Sequence, residues 1–111
     1  MDLSIIELDS DSYLGEAIQY EVDGKLLTFI TRYNAYHDFY TVDIICNGEP
    51  IVKGHKLTTG IDLLAYFKEG EVIHPQIPPI QVVPILFNND KEIIGIEDYG
   101  SNSGLAIIRS D

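Results

Sequence analysis

The sequence predicts an all-β fold: a small antiparallel β-sandwich or barrel of about eight short strands, with at most one short helical turn. Three observations predict it. Residues 16–22 and 38–46 alternate side chains with the two-residue period of a strand. Asp23-Gly24 and Asn47-Gly48 stand between such runs, where a tight turn with positive φ suits them. Further turn signals cut the rest of the chain into short pieces, so residues 1–111 read as one domain.

Taken in order, Ser4–Leu8 is a short edge strand and the polar cluster Asp9-Ser10-Asp11-Ser12 breaks it by side-chain to backbone bonding. Ile18, Tyr20 and Val22 share one face of the next strand. Across the Asp23-Gly24 turn, Val22 should face Lys25, Tyr20 should face Leu27 and Ile18 should face Phe29. Leu26 and Ile30 make that second strand apolar on its other side too, which places it centrally or under cover. Residues 34–37 form a loop. Strand 38–46 then puts Tyr40, Val42, Ile44 and Cys46 on one face. Pro50 cannot donate to a ladder, so the strand that follows is an edge or begins after it. Residues 16–57 thus read as a four-stranded meander.

Thr59-Gly60-Ile61-Asp62 has the spacing of a capping box, and a helical turn could run on through Phe67. The prolines at 75, 78 and 79 make 72–79 a stiff connector. Pro84 makes 81–87 an edge or bulged strand. Residues 91–96 and 105–108 are the last two strands, separated by a polar, Gly-containing loop.

A chain of this size buries roughly 65% of its unfolded surface, enough for one core. Eighteen acids against seven bases give a formal charge of −11. Phosphate contacts need the opposite sign, so nucleic-acid binding is not expected, nor is an anionic membrane surface. The acids are spread along the chain, as on a solvated surface or one that repels passing DNA. Cys46 is alone and lies in an apolar run, which suits a small core residue in a reducing cytoplasm. The N-terminus lacks a basic region and a long apolar stretch, so no signal peptide is expected, and no run reaches the length of a membrane helix.

Chemistry is poorly supported. His37, His55 and His74 are too scattered for a metal set, and no cofactor is expected. Asp9-Ser10-Asp11 opens like a calcium loop, but Tyr13, Leu14 and Tyr20 stand where its ligands and glycine belong. Gly100–Gly104 misses a nucleophile elbow because Asn102 is central. No phosphate-binding loop is present, and no motif marks a carboxylate pair for hydrolysis.

One run is more specific: Phe39-Tyr40, Val42-Asp43-Ile44, Asn47-Gly48, Pro50-Ile51-Val52, Gly54 and Leu57, leading into Thr59-Gly60-Ile61-Asp62-Leu63-Leu64. With Leu27-Thr28-Phe29, Arg32-Tyr33-Asn34 and Glu97-Asp98-Tyr99-Gly100, it resembles the phage baseplate plug family over about residues 16–109. Phe39 stands where that family often has Trp, and the connector at 75–79 is elaborated. The resemblance implies a structural protein of the virion, made in the host cytoplasm, at the centre of a tail baseplate near the hub and spike. It would hold the assembly together or close the tube end before genome release. The implied partners are hub, spike and tube initiator, with a symmetric homo-oligomer inside the assembly and no catalysis.

Candidate contact residues are Tyr36, His37 and Phe39 in the 34–39 loop, and Leu63, Leu64, Tyr66 and Phe67 in the corner that follows the meander. Ordinary core packing is the competing role for the corner, and a plain exposed turn for the loop. The alternative reading is a carbohydrate- or peptide-binding module, with Tyr33, Tyr36 and Tyr40 as an exposed platform.

Overall fold

A computed structural model describes residues 2–8, 14–22, 24–64, 80–87, 92–100 and 102–109. Among them are seven strands: β1 (Asp2–Glu7), β2 (Ala17–Val22), β3 (Lys25–Asn34), β4 (Phe39–Cys46), β5 (Glu49–Lys56), β6 (Ile80–Leu86) and β7 (Ser103–Arg109). They form two antiparallel sheets, a four-stranded one in the order β2-β3-β4-β5 and a three-stranded one in the order β1-β7-β6.

The meander forms because its turns and its apolar faces agree. Val22 faces Lys25, Tyr20 faces Leu27 and Ile18 faces Phe29, the register expected from alternation alone. β3 is central, as its two apolar faces require. At the β4–β5 turn both Asn47 (φ 50) and Gly48 (φ 84) are left-handed, the geometry of a type I′ hairpin. Asn47 also ties this turn to β3: its backbone N–H donates to the Leu26 carbonyl at 2.9 Å, and its Oδ1 accepts from the Leu26 N–H at 2.8 Å. Pro50 lies within β5 and Pro84 within β6, and both strands are sheet edges, where a missing donor costs little.

Both sheets contribute to one core. Leu27, Phe29, Val42 and Ile44 of the meander and Val82 and Leu105 of the smaller sheet are all fully buried. Each such side chain stabilises the fold by about 1.5–3 kcal/mol relative to exposure. Cys46, the one cysteine of the chain, is buried, and its burial pushes the thiol up from its ordinary range.

Two expected elements differ. Residues 92–96 make only one bridge, Thr58 to Ile93, before a turn. Asp98 draws the chain round: its Oδ2 accepts from the Gly95 N–H, and the Asp98 and Tyr99 N–H groups both donate to the Gly95 carbonyl. No helix begins at Thr59 among the described residues. Asp62 reaches forward instead, its Oδ1 accepting from the N–H of Leu64 at 3.0 Å and of Val82 at 3.1 Å. The Leu63 N–H donates to the Val82 carbonyl and the Gly60 N–H to the Pro84 carbonyl, so residues 60–64 run along the outer edge of β6. The polar cluster at 9–12, the connector at 72–79 and the turn at 88–90 lie outside the described residues.

Candidate partner interfaces

The loop between β3 and β4 is built to hold its aromatic side chains outward. Asn34 Oδ1 accepts from the N–H groups of Tyr36 and His37, closing a side-chain turn. Asp38 adopts φ 54, and its Oδ1 accepts from the Tyr33 hydroxyl and the Ile96 N–H, both at 2.8 Å. That carboxylate staples the loop to residues 95–96. A Cβ at Gly95 would lie 2.8 Å from Asp38 Oδ2, so a side chain there would push that carboxylate aside. The acid beside Tyr33 also raises its phenol from the ordinary value, through that hydrogen bond first.

On this base Tyr36, His37 and Phe39 form a ladder. Tyr36 is 91% exposed and meets His37 edge-on, with centroids 5.3 Å apart. His37 lies nearly parallel to Phe39 at 6.3 Å, and Lys56 Nζ sits 4.4 Å above the Phe39 ring. The cation over the ring steadies Phe39 by about 0.5–1 kcal/mol at a wet site. The structure therefore brings together the three loop residues that the sequence picked out.

The corner does not join them. Leu63 is 3% exposed and Leu64 is fully buried, so both are core in this chain, held there by the backbone bonds of residues 60–64 to β6. Tyr66 and Phe67 lie outside the described residues. The tyrosine platform also fails: Tyr40 is fully buried, stacked on Tyr99 at 4.1 Å, while Tyr33 is half-buried and only Tyr36 projects.

Tyr99 anchors a polar node that sequence patterning missed. Its hydroxyl donates to Glu16 Oε2 at 2.7 Å and lies 2.8 Å from Thr31 Oγ1. Burial, reinforced by the Glu16 carboxylate and opposed by Thr31, pushes the Tyr99 phenol far up. It is a neutral structural group at any ordinary pH. A tyrosine in a polar loop carries no signal that its ring will stack in the core.

A second node finishes the outer face of the larger sheet. Asp43 is buried, and its Oδ2 accepts from Arg32 Nη1 at 2.6 Å while its Oδ1 accepts from the Gly54 N–H at 2.7 Å. Arg32 and that N–H hold the Asp43 carboxyl below its usual range, against the opposing effect of burial. Gly54 (φ 64) sits where the β4–β5 register shifts, so Asp43 caps a bulge.

The smaller sheet has no such finish. β7 turns Leu105 and Ile107 to the core, so Gly104, Ala106 and Ile108 face outward, beside Leu3 and Ile5 of β1 and Phe87 after β6. Leu3 is 62% exposed, Ile5 46% and Phe87 48%. At one end, between the sheets, a cleft of about 440 Å³ opens, lined by Leu3 and Ser4 of β1, Tyr20 and Val22 of β2, and Ile80 and Ile107.

Among the described residues no group of three or more His, Cys, Asp or Glu side chains could hold a metal ion, and no helix is long and apolar enough to cross a membrane. No curated protein matches the chain significantly. Residues 3–110 match the family described as Cyanophage baseplate Pam3 plug gp18.

Proposed function

The chain belongs to the cyanophage baseplate plug family, and from that premise we propose that it is a structural component of a phage tail baseplate that sits near the central hub. There it holds neighbouring baseplate proteins together or closes the tube end before genome release. The observation that carries this reading is the family match, which spans nearly the whole chain. The aromatic ladder of Tyr36, His37 and Phe39 supports it. Aromatic side chains on a stapled loop lose little entropy on docking, which is what an assembly contact needs. Its partners on this reading are the hub, spike and tube initiator, with copies of the chain arranged about the tail axis.

Quantitative mass spectrometry of purified tail particles tests this, scored against the hub and tube proteins. The expected result is a low copy number, about three or six per particle, as closed symmetry about the tail axis dictates. Tyr36→Ala with Phe39→Ala should lower incorporation at least about tenfold, the effect of losing one hot spot. The unfolding temperature of the free protein should fall by only a few degrees, about the loss of the Lys56–Phe39 contact. Absence of the wild-type chain from particles made by cells that express it would overturn the reading.

A further inference from the structure

Each of the two sheets has two edges, and the four edges are not treated alike. An edge strand exposes unpaired N–H and C=O groups, and proteins blunt it with proline, lysine, bulges or a covering segment. β5 carries Pro50, Lys53, Lys56 and the Gly54 bulge. β6 carries Pro84 and is covered by residues 60–64. β1 and β2 have none of these devices: neither contains a proline, a lysine or a register shift. Among the described residues, no backbone hydrogen bond reaches the outer edge of either. The two bare edges flank the same opening, since residues of both line the 440 Å³ cleft.

The side chains there repeat the pattern. Ser4, on the side of β1 toward the other sheet, is exposed, as are Leu3 and Ile5 on the opposite side. Ile6 packs against the core, so among the described residues β1 is bare along its outer edge and open at its Leu3–Ser4 end. Tyr20 and Val22 point inward from β2 yet stay only half-buried, where they line the cleft.

We propose that this cleft accepts an extended segment of a partner protein, which pairs with β1 as a fourth strand of the smaller sheet. Apolar side chains at alternate positions of the segment would enter the cleft against Tyr20 and Val22 of the facing β2, with main-chain bonds along β1 giving affinity. The charge of the flanks follows from the chain. Glu7 on β1 and Glu21 beside the cleft are exposed, and the molecule carries −11 overall. Arg109 also lines the cleft but is engaged within the chain. The segment that fits is therefore flanked by lysine or arginine. A second copy fits poorly, since two β1 strands would set the same acidic edges together. One added strand also covers well under the roughly 800 Å² per partner of a standing dimer. The inference rests on the baseplate reading only for the origin of the segment, another baseplate component.

The test uses the whole protein and a synthetic peptide, Lys-Lys-Val-Thr-Val-Thr-Val-Lys-Lys, followed by amide hydrogen exchange and by titration. Saturable binding is expected in the range of about 10–100 μM, with those amides of residues 3–7 that point away from β7 protected at least about tenfold more. Methylating the backbone nitrogens of the valines should cost about tenfold or more, since it removes ladder bonds. Glu7→Lys with Glu21→Lys, both on exposed positions, should weaken the basic peptide about fivefold or more and favour one flanked by glutamates. No saturable binding below about 1 mM, or binding indifferent to methylation, would overturn the proposal. So would a dimer of the free protein with β1 already protected. Particle incorporation is a separate readout, so the slot and the baseplate role fail independently.

Discussion

The outer face of the four-stranded sheet is finished against water, while that of the three-stranded sheet is not. On the larger sheet, Thr28, Arg32, Thr41 and Asp43 point outward between isolated apolar residues, and the one buried charge has two donors. On the smaller sheet the outward positions of β7 and β1 are Gly104, Ala106, Ile108, Leu3 and Ile5, with only Glu7 charged. Leu3, Ile5 and Phe87 are exposed there, ranged around the buried Gly104 and Ala106. An antiparallel sheet normally needs one dry face and tolerates one wet face. The difference teaches that the larger sheet carries the self-sufficient part of the fold, and the smaller sheet the part with surface left over.

The hardest way to break this contrast is to crowd the smaller sheet. A Cβ on Gly104 would lie 2.9 Å from the Ile6 carbonyl oxygen, 3.2 Å from Ile5 Cγ2 and 3.3 Å from Phe87 Cζ. The carbonyl is backbone of the paired strand and cannot swing away. Gly104→Val should therefore lose about 3 kcal/mol, the upper range of overpacking. Chemical unfolding gives the stability, and amide exchange should show β1 released first while β3 and β4 stay protected. Uniform loss of protection across both sheets would count against the two-part view.

How much of this was legible in the sequence depends on whether a local signal exists. The β2–β3 register was legible because the Asp-Gly pair at 23–24 is a turn signal in the sequence and the facing pairs Tyr20–Leu27 and Ile18–Phe29 then agree. The edge positions of β5 and β6 were legible because proline cannot donate. Pairing between distant segments was not: β1 meets β7 across nearly the whole chain, and nothing in Asp2–Glu7 names its partner. For the same reason Asp62 looked like a helix cap. Its true acceptor role includes Val82, which is twenty residues away. The loop ladder was legible as residue types but not as a stack, since Lys56 arrives from β5. The buried Leu63 and Leu64 and the hidden Tyr40 show the limit of apolar content as a guide to interfaces, because it marks core and contact alike.

A middle-sized effect tests the finished face. Asp43→Asn keeps the shape but weakens the bonds to Arg32 and Gly54, and should cost about 1–2 kcal/mol, discounted because Arg32 is largely in solvent. The pH dependence has a definite sign. The folded-state value of Asp43 is lowered, so its contribution is complete above the unfolded value of about 3.9 and is lost as pH falls through the folded value. Between neutral pH and that acid window, wild type should be the more stable; within the window the gap should close. Stability curves of the two proteins that stay parallel down to the acid limit would mean that Asp43 does not act as a charge.

The smallest expected effect sharpens the comparison most. Ile5→Lys and Phe87→Lys place charges on the unfinished face, where both side chains are nearly half exposed. In the free protein, a lysine there keeps its amine in water and its stem along the neighbouring apolar surface. Stability should change by less than about 0.5 kcal/mol each, and solubility should rise as the apolar area falls. The same substitution on the inner side, Val82→Lys, would bury a charge at a fully enclosed position and should prevent folding. If Ile5→Lys instead costs more than about 2 kcal/mol in denaturant titration, the outer face is closed in solution by the chain itself. The two sheets would then be equally complete.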